Sequence, residues 1–202
     1  MSIVHVCIYI LDLMTIFFTA SYYGKAKYQK WYELALKTIQ SFKETIISPE
    51  EGNYLDVINA QTRERLKGSP ELLHYEAIRQ GIHLADVVII EMSHEDIQLG
   101  HEMSLALGEK KPVLALSIHE NFSKKIHSDY LFGAKYTQKT LTPVIQDFLV
   151  RARQMRQAKR FNMFLYPSQV EYLEKAAKQY GVNVSEYIRR LINLDRRAKS
   201  SA

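Results

Sequence analysis

One cysteine, eight glycines and five prolines stand among 202 residues. The lone Cys7 excludes an internal disulfide framework and any cysteine-rich zinc or iron–sulfur centre, and it points to a reducing, cytoplasmic setting. So little Gly and Pro argues against a loop-rich β-sandwich and against a low-complexity linker. The seven histidines lack metal-ligand spacing: His94-Glu95 and His101-Glu102 each miss the second histidine of a zinc-protease helix. Gly24-Lys25 stands without the other glycines of a Walker loop. No cofactor is expected. His74 and His83 read as helix-surface residues or as histidines satisfied in packing.

A membrane segment is not expected either. Residues 1–20 are strongly apolar, but they carry no basic flank of a signal peptide, and His5 and Asp12 interrupt the run. Ile, Val, Tyr and Phe dominate there, which favours strands. Met14 opens a self-sufficient first strand, so residues 1–13 read as an upstream extension to which no function is assigned.

Charge is unevenly placed. Residues 151–202 hold 12 Lys and Arg against 4 Asp and Glu, whereas residues 1–150 hold 15 against 18. A basic module therefore follows a mildly acidic body, an asymmetry that suits a polyanion partner at the tail alone. A solvated basic helix would show the same charge.

The body alternates short apolar runs with helical stripes. A strand at about 14–19 precedes Tyr28, Trp31, Ala35, Ile39 and Phe42 at helical spacing. Thr45–Ser48 is a short strand, and residues 53–68 have no clear period. Ser69-Pro70 opens a helix to about Leu84, with Ser as cap and Pro in the first turn. Asp86–Glu91 and Pro112–Leu116 read as strands buried on both faces, flanking a helix from about Leu99 to Gly108. Lys135–Thr137 is the expected last strand, and Thr142-Pro143 starts a final helix that runs into a basic connector, residues 151–158. Alternation of this kind implies right-handed crossovers and a doubly wound parallel α/β sheet over residues 14–150.

Ligands of such sheets bind beyond the carboxyl ends of the strands. Two stretches lie there: Thr19–Lys25, and Glu91–Glu102 with its four carboxylates. Glu102 is expected in the first turn of its helix, where the macrodipole favours a charged carboxylate. Simple helix capping is the ordinary use of one acidic residue at such a place.

Ile16-Phe17-Phe18-Thr19-Ala20-Ser21-Tyr22-Tyr23, Ala85–Glu91 and Asp96-Ile97-Gln98-Leu99-Gly100-His101-Glu102-Met103 together resemble the nucleoside 2-deoxyribosyltransferase superfamily, which includes the deoxynucleoside 5′-monophosphate N-hydrolases. The resemblance covers most of residues 14–140. It implies a flavodoxin-like sheet and dimers or larger oligomers with shared sites. It also implies Glu102 as the nucleophile that attacks C1′ and displaces the base, with a second base or water resolving the ester. Asp96 falls where the transferase branch contacts the nucleoside, and Tyr22 and Tyr23 fall where aromatic residues line its base pocket, with Ser21 beside them as a ligand-binding residue.

Three positions depart from that pattern. Ile78 replaces an aspartate, Phe17 replaces the tyrosine that orients the nucleophile, and Asp96 stands where the monophosphate hydrolases use a phosphate-holding serine. Losing a proton donor and an orienting hydroxyl can each cost orders of magnitude in rate. A pocket that binds a nucleoside or nucleotide but turns it over weakly, or not at all, is the expectation.

The tail has its own logic. Lys159–Leu165 alternates, with Phe161, Met163 and Leu165 on one side and Arg160, Asn162 and Phe164 on the other. Pro167-Ser168 starts a helix with Val170, Leu173, Ala177 and Tyr180 on one face. Gly181 ends it, and Asn183 with Glu186 makes a capping box for a second helix. Some forty residues cannot bury a core alone and need a second copy, paired along the strand edge. This stretch resembles the ribbon–helix–helix domain of Arc and MetJ repressors. That resemblance implies a homodimer whose paired strands enter the major groove of double-stranded DNA. Arg160, Asn162 and Phe164 would read bases, while Val184 and Ser185 would take a phosphate.

The expectation is a DNA-binding regulator whose α/β domain senses a nucleoside or nucleotide. The alternative is an active N-glycosidase or deoxyribosyltransferase using Glu102, with the tail serving assembly. A tail that tethers a nucleotide hydrolase to nucleic acid is a third possibility.

Overall fold

The computed structural model describes residues 13–126, 128–156 and 163–200. Residues 1–12 of the expected extension, residues 157 and 158 of the connector, and the proposed base readers Arg160 and Asn162 lie outside them. The chain divides into two units, Met1–Gln157 and Ala158–Ala202.

In the first unit, β1 (Thr15–Ala20), β2 (Thr45–Ile47), β3 (Val87–Glu91), β4 (Val113–Ser117) and β5 (Leu131–Lys135) form one parallel sheet in the order β2-β1-β3-β4-β5. This is the flavodoxin-like order. Every residue of β3 and β4 is buried, as their unbroken apolar runs require. Side chains alternate between the two faces. Ile16, Phe18 and Ile89 point into a core with α1 (Lys25–Gln40) and α5 (Leu141–Arg156). Phe17, Val88 and Ile90 point into a second core with α3 (Pro70–Leu84) and α4 (Ile97–Gly108).

Residues 53–68 fold into a 3-10 turn, Asn53–Val57, and a short helix, α2 (Ala60–Arg65). Ser69 occupies the cap position of α3 without a side-chain cap bond. The last strand is Leu131–Lys135 rather than Lys135–Thr137. Tyr136, just past its end, is fully buried against Trp31 instead.

Gly81 sits where α3 crosses β1. A Cβ there would lie 2.6 Å from the buried Phe17 ring and 3.3 Å from Ile47. Gly81→Ala is expected to destabilise the fold by ~1–3 kcal/mol through overpacking, despite the better helix propensity of Ala. A urea midpoint equal to or above that of the parent would show that the ring yields freely.

In the second unit, α6 (Pro167–Gln179) and α7 (Val184–Ser200) pack through Leu173, Ala176, Ala177 and Tyr187. Between them Gly181 takes φ +65°, with Val182 N–H donating to the Ala177 carbonyl at 3.0 Å and Gly181 N–H to that of Lys178 at 3.2 Å. Those two bonds make a Schellman turn, which needs the left-handed residue that glycine supplies. Asn183 Oδ1 accepts from Glu186 N–H at 2.9 Å and starts α7. Met163–Tyr166, the described end of the expected strand, pair with no strand among the described residues.

Candidate functional site

The strand order reverses between β1 and β3, and a cleft opens beyond their carboxyl ends, between α3 and α4. Its mouth, about 800 Å³, is lined by Tyr22, His74, Ile78, His101 and Glu102. A contiguous inner arm of about 370 Å³ reaches Thr19, Ser21, Lys25, Glu50, Tyr54 and Asp96. Another hollow, about 340 Å³ between Asp86, Lys111 and Arg156, lies at the amino ends of the strands and away from these residues.

Glu102 forms the floor. It is 1% exposed and occupies the second turn of α4, deeper than the expected first turn. One carboxylate oxygen, Oε1, accepts from Gln98 Nε2 at 3.0 Å, one helical turn away; Oε2 is buried and makes no hydrogen bond. Burial pushes the carboxyl up to about 7 and the negative Asp96 adds to this, while Thr19 and Gln98 pull the other way. The expected preference for the charged form is therefore corrected: desolvation outweighs a macrodipole that fades after one turn.

Asp96 is the N-cap of α4. Its Oδ1 accepts from the Gln98 backbone N–H at 2.9 Å, and its Oδ2 accepts from Ser21 Oγ at 2.6 Å. Capping and cleft lining are thus combined in one carboxylate. Ser21 is buried, and its hydroxyl oxygen also receives Gly24 N–H at 3.3 Å. Tyr22 and Tyr23 are about three-quarters exposed, edge-to-face at 5.9 Å. Lys25 Nζ lies 5.7 Å from the Tyr22 ring centre and pairs at 2.9 Å with Glu50, whose side chain is 6% exposed.

His74 is not a surface histidine. It is half-buried in the cleft, with Nδ1 2.9 Å from Tyr54 Oη and Nε2 3.2 Å from Gln98 Nε2. Burial holds its pKa below the usual histidine value. His83 is exposed and 3.2 Å from Glu109. Two of the three departures lie in the α3-side core: Ile78 is 3% exposed and lines the cleft, and Phe17 is fully buried against Gly81. The groups that act on Glu102 are the Gln98 amide, Thr19 and the negative Asp96, where the resemblance implies an orienting tyrosine hydroxyl.

Sequence reasoning gave no site role to His74, Gln98, Tyr54, Glu50 or Lys25, although Lys25 and Gln98 lay within the two stretches beyond the strand ends. Helical spacing held part of the signal, because Gln98 is four residues before Glu102 and His74 four before Ile78. In the second unit, Phe164 is fully exposed, Ser185 is exposed and Val184 half-buried in the first turn of α7. Arg189 and Arg190 pair with Glu186 on their own helix, at 2.8 and 3.4 Å.

No protein-family model matches the chain. A protein of Syntrophotalea carbinolica named 2′-deoxynucleoside 5′-phosphate N-hydrolase 1 is 33% identical over 103 residues, which are 51% of this chain and 68% of that relative. The extent of that match, together with a flavodoxin-like sheet that carries the Leu-Gly-x-Glu helix, places the chain in the deoxyribosyltransferase-like family of 2′-deoxynucleoside 5′-phosphate N-hydrolases.

Proposed function

We propose that the α/β unit binds a nucleoside or nucleotide with little or no turnover, and that the C-terminal unit pairs with a second copy to bind double-stranded DNA as a ligand-responsive regulator. One observation carries the first half. Glu102 is present and buried with Oε2 unpartnered, yet the neighbouring positions that should supply an acid and an orienting hydroxyl are Ile78 and Phe17. Such a carboxylate can receive a ligand hydroxyl or base N–H, while the leaving base finds no donor from either position.

For the second half, four buried side chains are a small core for two helices. Beside that core, Met163, Leu165, Tyr172 and Ile188 line an apolar groove of about 370 Å³. A paired copy would cover such a groove. Ligand binding would alter DNA affinity by favouring one arrangement of the paired tails.

Two measurements test this reading. Incubation with deoxynucleosides and their monophosphates should release little free base, whereas efficient release that Glu102→Gln abolishes would establish the enzyme instead. The name of the relative favours that alternative, in which Glu102 attacks C1′, the base leaves with the bond electrons and water resolves the ester. Arg160→Ala should lower affinity for a selected duplex by roughly tenfold or more, the worth of one bidentate base contact. Equal affinity of the two proteins would remove Arg160 from the interface.

A further inference from the structure

Four polar side chains from three elements run in line along the cleft: Tyr54 of the 3-10 turn, His74 of α3, then Gln98 and Glu102 of α4. The middle contact fixes the protons. An amide nitrogen only donates, so His74 Nε2, 3.2 Å from Gln98 Nε2, must be an acceptor. The imidazole is then neutral, its proton on Nδ1 and directed to Tyr54 Oη at 2.9 Å. The same amide nitrogen donates its other proton to Glu102 Oε1 at 3.0 Å.

We propose that His74 is a positioning residue for Glu102: by accepting one proton of the Gln98 amide it aims the other at the carboxylate. This rests on Glu102 being the working group of the proposed function. It gives α3 a polar role one turn before Ile78, in the wall that otherwise faces Glu102 with hydrocarbon. Protonation of His74 would set one donor against another at Nε2. The Gln98 amide must then turn its oxygen to the imidazolium, which removes its hydrogen bond to Glu102. Charge on His74 and the held state of Glu102 are thus mutually exclusive.

The groups facing this pair are few. Thr19 of β1 and Asp96 at the start of α4 act on Glu102, and Tyr54 and Gln98 bond His74. Glu71 and His101 also line the mouth, and the Lys25–Glu50 pair lines the inner arm.

The test follows the Glu102 carboxyl carbon by NMR in full-length protein labelled with carbon-13 glutamate, with Glu102→Gln assigning the signal. A hydrogen bond to the charged form lowers a carboxyl pKa, so His74→Phe and Gln98→Leu should each raise the titration midpoint by roughly half a pH unit or more. His74→Gln, which restores an acceptor opposite the amide, should bring the midpoint back towards the parent value. An unmoved midpoint in His74→Phe, or equal shifts in His74→Phe and His74→Gln, would overturn the proposal. Dispersed amide spectra identify the folded variants, and His74→Leu, which also lacks an acceptor, serves if His74→Phe does not fold. The expected shifts without binding of any deoxynucleoside would instead defeat the proposed function and leave the positioning role standing.

Discussion

Glu102→Gln should make the protein more stable above neutral pH and leave it little changed in mild acid. The Glu102 carboxyl is pushed from an ordinary 4.5 up to about 7, chiefly by burial. A raised folded-state value means the folded protein holds this proton more tightly than the unfolded chain. Its contribution is fully present below about 4.5, falls as pH rises towards 7 and is lost beyond. The size of the shift corresponds to about 3 kcal/mol across that window. Glutamine has no such step, so urea unfolding should show the variant ahead by up to that amount at about pH 8 and level with the parent at about pH 4. An equal difference at both pH values would mean that Glu102 is not the group under strain. Stability given up for a buried, under-bonded carboxylate is the usual mark of a site kept for function.

A deoxynucleoside should bind the cleft roughly a hundredfold more tightly than its 5′-monophosphate, a gap of about 3 kcal/mol. Four carboxylates line the cleft: Glu50, Glu71, Asp96 and Glu102. Lys25, the lysine on the inner arm, is committed to Glu50 at 2.9 Å. A phosphate that took Lys25 would leave a nearly buried Glu50 without its partner, and one beside Asp96 would meet a like charge. Either loss is worth several kcal/mol at the effective dielectric of a protein surface. Ser21, the neighbouring hydroxyl, already donates to Asp96. Calorimetric titration of matched pairs reads the gap directly, and Asp96→Ser should narrow it. A monophosphate that binds as tightly as its nucleoside would show that Lys25 exchanges partners at no cost, in keeping with the 5′-phosphate in the relative's name.

How far residues alone foretold this arrangement depended on the range of the forces involved. β3 and β4 were legible because Val87–Ile90 and Val113–Leu116 are unbroken apolar runs, which a parallel sheet covered on both faces demands. β5 was misplaced because Gly133 divides its apolar residues. That glycine is there for contact rather than for a turn: a Cβ would lie 2.3 Å from Asn121 Oδ1 and 2.6 Å from Ser123 N. The Leu-Gly-x-Glu motif marked Glu102, but its burial depends on β1 and α3, distant in sequence. The His74 link crosses 24 residues to Gln98 and left no local trace. The turn at Gly181 and the Asn183 cap were readable because both are settled within a few residues.

Asp96 ties two segments together. One oxygen holds Ser21 in the loop after β1, and the other holds the Gln98 amide in the first turn of the helix that bears Glu102. Fraying of that helix end and drift of the tyrosine loop therefore share a single anchor. Replacing Asp96 would therefore remove a bond at both places at once, at the lip of the cleft and at the start of the helix that bears Glu102.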